Sequence, residues 1–209
     1  MKTLKNTKSL TLLGVLLAIE IVLAFTPLGF VPLGFTKATT IHIPVIIGAI
    51  FLGPVGGAIL GCAFGVMSII INTISPSLTS FVFSPFITIG NTQGNIWSLV
   101  IALVPRMMIG VTAYYAYKWV SKWSKTKGMA YAAAGIVGSL TNTILVMGGI
   151  YIFFGKQYAA AKEVAFETLF SVIMGIVGVN GVPEAIVAAI FVATTCKVLK
   201  SIFREKVGR

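Results

Sequence analysis

Five runs of predominantly apolar residues, at positions 9–25, 54–74, 96–117, 129–154 and 182–202, decide most of what this chain can become. A helix needs about 20 such residues to cross a hydrocarbon core of roughly 30 Å. A sixth run, 40–52, is shorter, and Pro44 near its start and Gly53-Pro54 at its end mark it off. That punctuation sets it apart from the following helix as one leg of a tight helical hairpin. A short or partly unwound helix persists at membrane depth only where protein or a watery cavity covers its loose backbone ends, so 40–52 counts as a span. Composition agrees, at 57% hydrophobic and 10% charged residues, where a soluble domain carries roughly a quarter charged. The expected fold is an all-α integral membrane protein, a single membrane domain over residues 1–209 with six transmembrane helices.

The net charge of +11 resembles a nucleic-acid footprint until the charges are placed. Twelve of the sixteen basic residues fall in three segments: Lys2, Lys5 and Lys8; Lys118, Lys122, Lys125 and Lys127; and Lys197, Lys200, Arg204, Lys206 and Arg209. Six spans put those segments on one side, so the positive-inside rule predicts a multi-pass protein with both termini cytoplasmic, facing membrane lipid and no nucleic acid. Residues 164–179 are apolar enough to compete as a seventh span. Crossing there would move the basic C-terminus outside, so 155–181 is read as an external loop whose apolar part is a lid, a re-entrant piece or an interfacial helix. The first run follows lysines as a signal peptide does, but no small-residue cleavage site follows it, and the helix is expected to be retained.

The acids are five Glu, with no Asp. Asp-dependent metal clusters, general bases and hydrolytic triads therefore have no place here. Cys62 and Cys196 lie in spans without metal-ligand or redox spacing and read as small packing residues. Gly29–Gly34 has the glycine spacing of a phosphate loop, but Phe35 stands where Lys is required, and Gly155-Lys156 lacks the upstream glycine. The chain carries no nucleotide-hydrolysing machinery of its own, and an enzyme is the least favoured class.

Within the spans, small residues recur at helical spacing in Gly57-x3-Gly61-x3-Gly65 and Gly14-x3-Ala18. Such faces let helix backbones approach closely; the first series reads as packing inside the bundle, the second as packing or a smooth face for a partner protein. Polar groups at membrane depth are costly and normally face a cavity or one another. Here they are Glu20, His42, Asn72, Asn91, Gln93, Asn95, Arg106, Asn142, Asn180 and Glu184, most of them in the predicted outer half. Arg106 is the cation that topology does not explain, and its planar fork suits a carboxylate; an ion pair with Glu20 or Glu184, or snorkelling, is the structural alternative. His42 has no second His or Asp to join it at a metal and reads as a hydrogen-bonding residue. Residues 73–96 are free of charge, rich in amides and hydroxyls and walled by Phe81, Phe83, Phe86 and Trp97, a composition that suits a small polar ligand.

Several motifs then acquire a collective meaning. Pro44-x3-Gly48, Leu52-Gly53-Pro54-x-Gly56-Gly57, Gly61-x3-Gly65, Phe83-Ser84-Pro85-Phe86, Pro105-Arg106-x3-Gly110 and Asn180-Gly181-x-Pro183-Glu184-Ala185 together resemble the substrate-binding S components of energy-coupling factor (ECF) vitamin transporters. Among those, the likeness is to S components assigned to pantothenate. The resemblance implies an S-component-like six-helix bundle in a prokaryotic plasma membrane that captures a vitamin from outside. It also implies partners: a transmembrane scaffold subunit and two ATPase subunits, which use the ATP. The family's small-residue face on the first helix, which docks on the scaffold, matches Gly14 and Ala18, with Gly replacing Ala at the first position. On this reading Arg106 holds the pantothenate carboxylate, Asn91, Gln93, Asn95 and Asn142 bond its amide and hydroxyls, Trp97 shields the site, and His42 and Glu184 are further contacts. The competing expectations are an S component for another water-soluble vitamin or precursor, and a stand-alone proton-coupled carrier using Glu20 and Glu184. The second lacks the inverted repeat of broken helices that many such carriers show.

Overall fold

The computed structural model describes residues 6–32, 37–90, 92–124 and 126–205. Five helical stretches among them are long and apolar enough to cross a membrane. In chain order the helices are α1 (Thr7–Ala24), α2 (His42–Ile74), α3 (Ile96–Trp123), α4 (Lys127–Ala161), α5 (Phe166–Ile176) and α6 (Val182–Glu205). Two small antiparallel hairpins join them: β1 (Phe30–Pro32) with β2 (Lys37–Thr39), and β3 (Thr88–Ile89) with β4 (Thr92–Gln93). Packing runs from α1 to α2, α2 to α3, α3 to α4 and α4 to α6. The outward faces carry Val55, Ile59, Val66, Ile70, Ile144 and Ile152 rather than charges, the inverse of a soluble bundle and the pattern of helices solvated by lipid.

The break expected at Gly53-Pro54 is present. Gly53 has φ 83° and ψ 179°, a conformation open essentially to glycine alone, and Pro54 removes the next backbone donor. The two legs of α2 fold back on each other there: Ala49 packs against Gly57, and a Cβ on Gly48 would run into Leu60. In an unbroken helix such residues would stand about 12 and 18 Å apart, given a rise of about 1.5 Å per residue. The short first leg is the most protected part of the molecule, with every residue from His42 to Ala49 buried.

The glycine series on the second leg is a helix contact. Gly57 lies against Gly110, Gly61 against the Arg106 backbone and Gly65 against Ala102 and Leu103, so α2 descends along α3 in antiparallel register. By contrast α1 buries only the stripe Leu16, Glu20 and Ala24. Gly14 and Ala18 are exposed, with open space around Gly14.

The stretch 155–181 differs from the loop that hydropathy suggests. α4 continues to Ala161 through a bend at Phe154, and α5 runs through a π-helical turn, Val177–Gly181, directly into α6. Lys156 and Gln157 end the apolar run without ending the helix, because Phe154, Tyr158 and Ala159 still pack against Leu169 and Ile173 of α5. At 35 residues, α4 is about 52 Å long, well beyond the roughly 30 Å core. Its last turns and α5 form a helical hairpin.

Candidate ligand-binding site

Near one end of the bundle, where both legs of α2 have their outer termini, lies a cavity of about 350 Å³. Its wall is built from Ala24 of α1, Thr39 of β2, Ile41 beside the start of α2, Phe64, Met67, Ser68, Ile71 and Asn72 of the second leg of α2, Phe83 of the following loop, Arg106 of α3 and Asn142 of α4. Six separate parts of the chain thus converge on one small volume, at the compact end of the ~300–1,000 Å³ range typical of small-molecule sites.

Arg106 is the dominant chemical feature. Pro105 has no N–H, which frees the carbonyl four residues earlier from the helical ladder. That carbonyl belongs to Ile101, and Arg106 Nη1 donates to it at 2.6 Å. Pro105-Arg106 is therefore a local device: the proline releases an acceptor, and the acceptor fixes one arm of the guanidinium. The cation lies between two aromatic rings, 5.1 Å from the centre of Phe83 and 5.6 Å from that of Phe64, whose π faces favour positive charge. Its Nε has no partner. Among the described residues no carboxylate pairs with it, although it is only 6% exposed. An arginine held in this way presents donors to whatever occupies the cavity.

Two amides flank it. The Asn142 Oδ1 is buried without a partner. Asn72 is already engaged: its Nδ2 donates to the Ser68 carbonyl at 2.8 Å and its Oδ1 accepts from Ser80 Oγ at 2.6 Å. Ser80 also bonds Ser77, Thr73 Oγ1 meets Ser84 Oγ at 2.7 Å, and Ser98 Oγ donates to the Phe81 carbonyl at 2.7 Å. These hydroxyls tie the charge-free segment after α2 to the ends of α2 and α3 and so hold Phe83 over the guanidinium.

The other polar residues singled out in the sequence have different places. Glu184 Oε1 accepts from the Thr39 backbone N–H at 2.8 Å, pinning the β1–β2 hairpin to the first turn of α6. His42 is buried at the start of α2 with neither ring nitrogen bonded, next to Ile41 of the cavity wall. Glu20 is fully buried one turn before Ala24, and both its carboxyl oxygens lack partners. Neither Glu20 nor Glu184 reaches Arg106. Asn95 caps α3 through a reciprocal bond with Ser98, Gln93 is exposed on β4, and Trp97 stacks on Phe153 with ring centres 4.1 Å apart. None of those three lines the cavity; Asn91 lies outside the described residues. Sequence reasoning did not single out Thr39, Ser68 or the apolar wall residues Ile41, Phe64, Met67 and Ile71. No cluster of three or more His, Cys, Asp or Glu able to hold a metal occurs among the described residues.

An all-helical membrane protein with a small cavity near one end of its bundle, apolar-walled and holding a buried arginine and two amides, has the build of a membrane-embedded binder of small solutes. The profile of the family described as "ECF transporter, substrate-specific component" matches residues 8–195, and the chain belongs to that family. A protein described as "Pantothenic acid transporter PanT" from Lactococcus lactis subsp. cremoris is 36% identical over 160 residues, which cover 73% of this chain and 79% of the relative. The "Pantothenate transporter PanT" of Leuconostoc mesenteroides subsp. mesenteroides is 27% identical over 215 aligned positions, 97% of each chain.

Proposed function

We propose that this chain is the high-affinity vitamin-binding subunit of an ECF-type ABC transporter, taking up pantothenate together with a scaffold subunit and two ATPases that spend the ATP. The observation that carries the reading is Arg106, a buried cation without a carboxylate partner, held between two aromatic rings in the wall of a small cavity. Pantothenate is a small anion with hydroxyls and one amide. Its carboxylate answers Arg106, and the unbonded Asn142 Oδ1 suits one of its donors. The names of two relatives support the choice of vitamin.

The membrane arrangement follows from the same features. With α2 counted as two legs the chain crosses six times, and the ends rich in lysine, Lys118 to Lys127 and Lys197 to Lys200, share the side opposite the cavity. The positive-inside rule then puts both termini in the cytoplasm of a prokaryotic cell and the cavity toward the outside. The exposed Gly14 and Ala18 give α1 a smooth face suited to the scaffold subunit. Gln93, Asn95, Trp97, His42 and Glu184 act around the pocket as supports or as contacts made on closure.

The test is calorimetric binding by the purified chain of pantothenate and of its neutral alcohol analogue, in which the carboxylate is replaced by CH2OH. Charge-assisted bonds contribute about 1.5–3 kcal/mol, so the alcohol should bind at least about tenfold more weakly. Equal affinity for both compounds, or displacement of pantothenate by an unrelated vitamin, refutes the assignment.

A further inference from the structure

Behind the α4 side of the cavity lies a layer of buried polar side chains that its wall only begins to show. Packing fixes the level of that layer. Ile46 of α2 and Ala113 of α3 both meet Gly138 of α4. From that contact the cavity lies toward Ile41 on α2, Asn142 on α4 and Arg106 on α3. Residues four apart share a helix face, so one turn nearer the cavity His42 and Asn142 come to the same level, with the buried Ile109 of α3 beside them. On the α6 side, Gly135 and Thr143 of α4 meet Ala188 and Gly181, which puts Ser139 level with Glu184.

His42 and Ser139 are each only 1% exposed. Both ring nitrogens of His42, Ser139 Oγ and Asn142 Oδ1 lack hydrogen-bond partners among the described residues. Buried polar groups are nearly always bonded, so four unmet atoms at neighbouring levels of one bundle mark a place that receives a polar group. The backbone entering His42 is fixed in position. The Thr39 N–H donates to Glu184 Oε1 at 2.8 Å, and Thr40 donates from its N–H to the Gly29 carbonyl and from its hydroxyl to that of Leu28. The kinds of atom narrow the ligand chemistry. Asn142 Oδ1 only accepts, Ser139 Oγ does both, and a neutral imidazole donates from one nitrogen and accepts at the other. A carboxylate, which only accepts, would leave the acceptors unmet. A hydroxyl donates and accepts at once and suits the set.

We propose that this layer reads the hydroxyl end of the ligand, with His42 as the specificity-determining residue, while the carboxylate end lies at Arg106. The inference rests on the pantothenate reading and fixes which way round the vitamin lies. Calorimetry on the purified chain tests it with three ligands: pantothenate, its deoxy analogue with CH3 in place of the terminal CH2OH, and its neutral alcohol analogue lacking the carboxylate. The wild type should bind the deoxy analogue at least about tenfold more weakly than pantothenate, because the missing hydroxyl strands buried polar groups. His42→Phe should weaken pantothenate about tenfold and leave the deoxy analogue within about twofold of its wild-type affinity. The same variant should still prefer pantothenate over the neutral alcohol, which a general loss of structure would not allow. His42→Gln keeps a donor and an acceptor and should restore most of the preference for the hydroxyl. Equal weakening of all three ligands in His42→Phe would overturn the proposal. So would wild-type indifference to the terminal hydroxyl, a result that stands whether or not His42→Phe folds. If that indifference comes with the carboxylate preference intact, this inference alone fails; if the wild type ignores the carboxylate, the pantothenate reading fails with it.

Discussion

Two groups of amides lie toward the same end of this molecule and read much alike in sequence, yet they do different work. Gln93 and Asn95 sit on or beside the β3–β4 hairpin, where one is exposed and the other caps a helix. Asn72 and Asn142 sit inside long apolar helices and line the cavity beside Arg106. A loop amide can reach water or a nearby backbone group, so its presence carries little information. A helical amide facing the bundle interior has fewer choices: Asn72 is satisfied by the Ser68 carbonyl and the Ser80 hydroxyl, whereas Asn142, whose Oδ1 has no partner, is poised for a ligand.

That contrast can be broken at several points. The largest effect is expected at Arg106→Ala, which should weaken pantothenate binding about hundredfold or more, corresponding to about 3 kcal/mol from charge-assisted bonds. Because the guanidinium is buried without a counter-ion, thermal stability should change little. Near-native affinity in calorimetry would remove Arg106 from the site. Asn142→Ala comes next, with a loss of about tenfold, the value of one hydrogen bond made to the ligand. An unchanged dissociation constant would show that its Oδ1 meets only water.

On the hairpin side, Gln93→Ala should leave affinity within about twofold, since an exposed amide exchanges a ligand bond for water at little net cost. Trp97→Ala should likewise spare affinity but lower the melting temperature by about 2–4 °C, because an aromatic pair contributes about 0.5–1.5 kcal/mol beyond its area. A tenfold loss of affinity in either variant would mean that the hairpin closes over the ligand. The smallest effect is expected at Glu20→Met. Replacing an unbonded buried carboxyl with an apolar group of similar length removes a desolvation cost, so thermal stability should hold or rise by about 1 kcal/mol with binding intact. A marked loss of affinity would move Glu20 into the ligand site.

The elements that sequence reading locates best are those whose physics is local. Apolar length reveals the spans, Gly53-Pro54 reveals the break in α2, and the spacing of Gly57, Gly61 and Gly65 reveals a contact face whose partner, α3, only the fold supplies. The continuation of α4 beyond Phe154 is hidden because Gly155, Lys156 and Gln157 break the hydropathy while the helix is held by packing on Leu169 and Ile173. The cavity divides in the same way. Arg106 stands out as a cation in an apolar run, whereas Phe64, Met67 and Ile71 look like any core residue and become wall only because α1, α3 and α4 converge there. Thr39 reaches the cavity through a hairpin whose anchor, Glu184, is 145 residues away in sequence.

The first leg of α2 also bears on how such a chain is made. His42–Leu52 is about 16 Å long, half of what a bilayer requires, and its residues are covered by protein on nearly every side. It cannot partition into lipid by itself during synthesis and must wait for the second leg and α3 to arrive. Ribosome-bound chains halted before α3 emerges should therefore leave a cysteine placed at Ile47 open to a water-soluble thiol reagent, and chains halted after α3 should protect it. Protection only after α3 emerges would make Gly53, the corner of the finished fold, also the hinge of a delayed insertion.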